Sequence, residues 1–290
     1  MSEKVASFVL RQVNRLGRVK DAVYLDTCAW SKLAKQEISY RPLLDWVQAK
    51  GCHIWMARFQ MAELTKDTRL ARPMAELLRN LPVVALDREQ NEFEGEPWYK
   101  VRSRLDEFIR LSSQELFDEF VKQMESGPIT ETRHQLERDA ESFRDWLEKA
   151  LAAVPEATPR DWSSFKQRLD NWIRQQCERN GVTVNEAALA NPECYVGLRL
   201  SYGVLFLRYF INRQPWKPSD YVDYLHAADM AYAGVVVTER NLAECIRQAA
   251  KRPEVTAPDL VVDLSWLHNP SDGVSANQSV QRTSTPPLTS

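Results

Sequence analysis

Runs of consecutive apolar residues alternate with stretches whose apolar residues recur every three or four positions, and then the alternation stops. Apolar runs at 22–25, 53–57, 83–86, 235–237 and 260–262 are bounded by polar or turn residues and read as buried strands. Between the first three, segments 29–35, 43–49 and 59–69, and one opened by Pro73, have helical spacing. Pro42 suits a helix start and Gly51 a helix end. The order is strand–helix–strand–helix–strand, which predicts a parallel sheet with crossover helices. A further short helix is expected over 4–17, where Val5, Phe8, Val9, Val13 and Leu16 share a helical period.

From 89 to 214 no strand pattern is visible. Leu105-Phe108-Ile109, Leu116-Phe117-Phe120-Val121, Phe143-Trp146-Leu147 and Trp162-Phe165-Leu169-Trp172-Ile173 repeat the helical spacing, broken by Gly127-Pro128, Pro155, Pro159 and Asn191-Pro192. A helical insertion of four to six helices is expected, with the more apolar 195–211 packing on the sheet. The strand–helix pattern resumes with Ser219 as helix cap and a helix over 220–233, then a strand, a helix over 242–251 and a last strand. The expected organisation is therefore a discontinuous α/β domain (1–88 and 215–267), a helical insertion (89–214) and a disordered Ser/Asn/Thr/Pro-rich tail (268–290).

Composition narrows the class only a little. With 44% hydrophobic and 27% charged residues over 290 positions, the chain can bury a full core. A net charge of −2 excludes a strongly basic nucleic-acid binder, so RNA would have to meet a local patch. The five cysteines are scattered without a C-x-x-C pair, which speaks against zinc and fits a cytoplasmic protein. No apolar stretch reaches membrane-spanning length, so no membrane partner is expected. No P-loop, Ser-His-Asp triad or zinc finger is present.

The chemistry-bearing residues are acids. Asp26 ends the first strand, Glu63 lies on the helix after the second, Asp223 opens the helix before the fourth, and Glu239 follows the fourth. Acids on four separate connections can meet only at one edge of a parallel sheet, where ligands bind. Crowded oxygen ligands suit Mg²⁺ or Mn²⁺. Asp26 has a plainer reading as the cap of the next helix. His226, one turn beyond Asp223, fits a helix-orienting polar contact better than a ligand. An aspartyl-phosphate phosphatase would need an acid at position 28, where this chain has Cys28.

These segments resemble the PIN-like nuclease family. Leu25-Asp26-Thr27 is similar to its strand ending in Asp, Ala62-Glu63-Leu64 to its helical Glu, and Asp223-Tyr224-Leu225-His226-Ala227-Ala228 to its Ala- and aromatic-rich helix. Val235-Val236-Val237-Thr238-Glu239 is similar to its strand and Thr-acid turn. The resemblance covers roughly 20–90 and 215–265. It implies a three-layer α/β fold and a metal-dependent endoribonuclease with Asp26, Glu63 and Asp223 as ligands of Mg²⁺ or Mn²⁺. Their carboxylates are expected within one metal-sized cluster. Glu239 is then a further catalytic acid, and Thr27, Arg58, Thr238 and Arg240 are candidate substrate contacts. The chain departs from the family at 240, where Arg stands in place of the usual fourth acid. Either Glu239 or Arg240 therefore faces the site. The implied partner is RNA, with a protein partner or a second copy meeting the insertion. The alternative is a non-catalytic PIN-like scaffold.

Overall fold

The computed structural model describes residues 22–64, 67–86, 95–97, 100, 109–111, 113–125, 130–154, 159 and 161–271. The expected helix over 4–17 lies outside these residues, as does all of the expected tail (268–290) but its first four residues, of which His268 ends a 3₁₀ turn (Leu264–His268).

The first half follows the apolar pattern closely. β1 (Val23–Leu25) runs into α1 (Thr27–Ala34), then come α2 (Arg41–Lys50), β2 (Ile54–Met56), α3 (Arg58–Leu64), a 3₁₀ turn (Thr68–Leu70), α4 (Ala71–Asn80) and β3 (Val83–Leu86). Pro42 sits in the first turn of α2, and Gly51 ends that helix with φ 64°, a left-handed conformation a Cβ would disfavour. The helix expected over 59–69 ends at Leu64.

The middle of the chain is helical but not wholly so. β4 (Ile109–Leu111) is followed by α5 (Ser113–Glu125), α6 (Thr130–Ala152), α7 (Phe165–Arg179), α8 (Glu186–Ala190) and α9 (Val196–Leu205), which passes into a π-helical turn (Phe206–Ile211). Then α10 (Ser219–Met230), β5 (Val235–Thr238), α11 (Arg240–Ala249) and β6 (Leu260–Asp263) complete the fold. Ser219 is the first helical residue of α10 and not its cap, and the helix ends at Met230.

The strand order is β4-β3-β2-β1-β5-β6. β3, β2, β1, β5 and β6 are mutually parallel, as the crossover helices require. The sixth strand was not expected. β4 pairs antiparallel with β3, so Ile109 belongs to a strand and not to a helix. Three residues carry no period, but they cover the ladder that β3 would otherwise leave open.

Side chains alternate strictly across the sheet, which makes the fold three-layered. Val23, Leu25, Ile54, Met56, Val83, Ala85, Val235 and Val237 face one core with α1, α2, α4 and α5. Tyr24, Trp55, Val84 and Val236 face the other, with α7, α9, α10 and α11. The helices after residue 165 therefore form one full layer of the sheet's own core. Gly203 allows the close approach of α9 to α11: a Cβ there would stand 3.0 Å from the Ala249 Cβ. Among the described residues no helix is long and apolar enough to cross a membrane. The five cysteines are all free thiols.

Candidate functional site

The chain leaves β1 toward β2 and β3, then returns to β5 on the other side of β1. The carboxyl ends of β1 and β5 are therefore the point where the strand order reverses, the place where ligands bind in open α/β sheets. Asp26 follows β1 there, and Thr238 and Glu239 end β5.

Asp26 is buried and fully engaged. Its Oδ1 accepts from the Ala29 backbone N–H at 2.9 Å, which caps α1, and from the Cys28 thiol at 2.9 Å. Its Oδ2 accepts from the Thr238 hydroxyl and from the Glu239 backbone N–H, the latter at 3.1 Å. One carboxylate thus joins the ends of β1 and β5 to the starts of α1 and α11. Desolvation, then the Asp26 charge, push the Cys28 thiol well up, so it stays protonated.

A second network holds Glu63. Gln60, wholly buried, donates to the Leu25 carbonyl at 2.6 Å and accepts from the Ala57 N–H at 2.8 Å, which fixes α3 against β1. One turn on, Glu63 Oε2 accepts from the Thr27 hydroxyl at 2.7 Å. His226 Nε2 lies 3.1 Å from that hydroxyl and its Nδ1 lies 2.7 Å from the Tyr24 hydroxyl. One tautomer satisfies the chain: Tyr24 donates to Nδ1, Nε2–H donates to Thr27, and Thr27 donates to Glu63. The ring of Phe59 packs edge-on against His226 with centroids 4.9 Å apart. We expect Thr27→Val to lower stability by about 1–2 kcal/mol, because it leaves buried partners unpaired, while Thr27→Ser stays near wild type. Equal denaturant midpoints for Val and Ser would show the chain to be inconsequential.

The third acid has a cation as its partner. Arg208, from the π-helical turn, donates from one terminal nitrogen to Asp223 Oδ2 at 2.7 Å and to Asp220 Oδ1 at 3.3 Å. Burial alone would lower the Arg208 pKa, but the contact with Asp223 prevails and holds it above the ordinary value.

Glu239 takes no side-chain part in capping α11, which runs Arg240–Ala249 and so starts two residues before the expected 242. Desolvation, then repulsion from Asp223 and Asp26, push its carboxyl above the usual range. Arg240 instead acts electrostatically on Asp263 at the end of β6. Glu239 thus feels the charges of Asp223 and Asp26. Arg58 opens α3 at the same sheet edge, and its side chain lies outside the described residues.

The four acids gather at one edge but not in one cluster. Among the described residues, no three His, Cys, Asp or Glu side chains stand where they could hold a metal ion. The expected close set of Asp26, Glu63 and Asp223 is not formed, because hydroxyls and N–H groups occupy Asp26, Thr27 occupies Glu63, and Arg208 occupies Asp223. The acids are oxygen donors, the ligand type hard divalent cations take, and desolvation, then the charges of Asp223 and Asp26, raise the Glu239 carboxyl. Gln60, Tyr24, Arg208 and Asp220 were not anticipated. A signal existed for Arg208, a charge inside the apolar run 195–211 that had to find a buried partner. No protein-family model matches the chain, and no characterised protein or solved structure matches it either.

Proposed function

We propose that this edge is the active centre of a Mg²⁺- or Mn²⁺-dependent endoribonuclease. What supports it most is that Asp26 and Glu239 meet at the ends of β1 and β5, where the Glu239 N–H donates to Asp26 Oδ2 at 3.1 Å, and that desolvation, then the charges of Asp223 and Asp26, raise the Glu239 carboxyl. The reading requires Asp26, Asp223 and Glu239 to turn from their present partners to hold the cation, with Glu63 beside Asp26 through Thr27. A bound divalent ion supplies neutralisation of the phosphodiester charge and activation of water. Thr238 and the Glu239 N–H hold the Asp26 carboxylate in place. The Tyr24–His226–Thr27 chain fixes the position of Glu63. RNA as the substrate follows from the motif resemblance of residues 23–30 and 223–241.

A second reading, a non-catalytic scaffold, draws on the same side chains being satisfied internally. Incubation of the full chain with an end-labelled single-stranded RNA separates the two. The nuclease reading expects internal cleavage with Mg²⁺ or Mn²⁺, none with EDTA, and a loss of at least about a hundredfold in Asp223→Asn. Cleavage that persists undiminished in EDTA, or that Asp223→Asn leaves intact, removes the nuclease reading. RNA retained on the protein without cleavage supports the scaffold.

A further inference from the structure

The two ends of the strand order are closed in different ways. At one end β4 pairs with β3; at the other β6 pairs with β5 alone, and among the described residues no strand meets its outer side. In a parallel ladder successive residues turn their N–H and C=O groups to opposite sides. Leu260 N–H bonds to the Gly234 carbonyl at 2.9 Å, so Leu260 and Val262 are bonded into the sheet, while Val261 and Asp263 present their backbone groups outward. The surroundings are apolar: half-buried Leu260, Leu264 and Trp46 lie on one face of the sheet there, and half-buried Val261 on the other. An apolar edge of this kind is a template for pairing with another chain.

One side chain occupies that edge. Arg247, in the last turn of α11, donates to the Val261 carbonyl from both Nε, at 3.2 Å, and Nη2, at 2.9 Å. A carbonyl oxygen has two lone pairs, and the two donors of the guanidinium take both. No acceptor capacity is left there for the N–H of an added strand. We propose that Arg247 guards the β6 edge, holding it closed to a second copy of this chain. The occupant follows from the edge itself. Val261 and Asp263 stand on either side of Val262, so antiparallel pairing about a two-fold axis at Val262 would match Val261 of each copy with Asp263 of the other, donor to acceptor. The apolar residues flanking the edge would then be covered by the same residues of the second copy. With the Val261 carbonyl taken in both copies, half of the bonds of that pairing cannot form.

Light scattering after size-exclusion chromatography of the full chain tests this with neither RNA nor a metal ion. Arg247→Met keeps the aliphatic stem of the side chain and removes its donors. It is expected to raise the weight-average mass to at least about twice that of wild type at the same concentration, through the freed edge. Adding Val261→Pro deletes the outward N–H, which the β5 ladder does not use, and proline is tolerated at such a position on an edge strand. The double variant is expected to return to the wild-type mass. Circular dichroism checks that each variant folds. Arg247→Ala replaces a methionine variant that does not, and Leu260→Lys, which sets a charge on the same edge, replaces a proline variant that does not. A folded Arg247 variant with the wild-type mass overturns the proposal. So does a double variant that stays associated, because the new apolar side chain and not the edge is then the contact. Failure of both Arg247 variants to fold also overturns it, and leaves Arg247 a role in stability alone.

Discussion

Asp26→Asn is expected to cost about 1–3 kcal/mol of stability and, on the nuclease reading proposed above, to reduce RNA cleavage to below about 1% of wild type. The activity loss follows from putting a neutral amide in place of an acid of the proposed site. The stability loss is specific to this geometry. Each oxygen of Asp26 faces a fixed backbone donor, Ala29 N–H on Oδ1 and Glu239 N–H on Oδ2. An amide has only one acceptor oxygen, so in either orientation its NH₂ meets an N–H. Removing a charge from a crowd of acids relieves repulsion, but here the lost acceptor outweighs that relief. Urea denaturation and cleavage assays on the same preparation check both parts. A variant as stable as wild type would mean the Asp26 bonds do not tie β1 to β5, and a fully active one would place the chemistry elsewhere.

That double duty was only half legible in the sequence. Asp26 after an apolar run reads equally as a helix cap and as a site acid, and the structure shows the cap while bringing the acid to the carboxyl ends of β1 and β5. The five parallel strands were readable because each appears as an unbroken apolar run, buried on both faces in β1, β2, β3 and β5 and half-buried in the edge strand β6. β4 was not, since three residues pairing with an edge carry no period. The register of Glu239 and Arg240 also escaped the sequence. It depends on where α11 starts, and a two-residue shift moves a side chain about 200° around a helix. Thr238 stays in the strand because its hydroxyl is bound by Asp26. The Arg208 pairing was missed for a different reason: the apolar run around it announced burial, but the partners Asp220 and Asp223 lie on another helix, and only the π turn aims the guanidinium at them.

His53 carries the largest expected pH effect on stability. It precedes β2 and is buried, and neither ring nitrogen has a hydrogen-bond partner among the described residues. Its backbone carbonyl accepts from Val23 N–H at 2.8 Å, so the residue cannot swing out without disturbing the β1–β2 pairing. Burial lowers its pKa to about 4, from an ordinary 6.5. The folded chain thus holds a neutral imidazole where the unfolded chain would take up a proton. Stability from this residue is fully present above about pH 6.5, declines as the pH falls, and is lost by about pH 4. The difference corresponds to about 3 kcal/mol across that window, at about 1.4 kcal/mol for each pH unit. Carboxylates titrate in the lower part of the same window, so the comparison is between variants and not against a flat line. Denaturant midpoints measured from pH 7.5 to 4 should fall more steeply for wild type than for His53→Leu, with most of the divergence between pH 6 and 4.5. Parallel curves would mean that the ring is protonated inside the fold, and that a partner not seen among the described residues receives it.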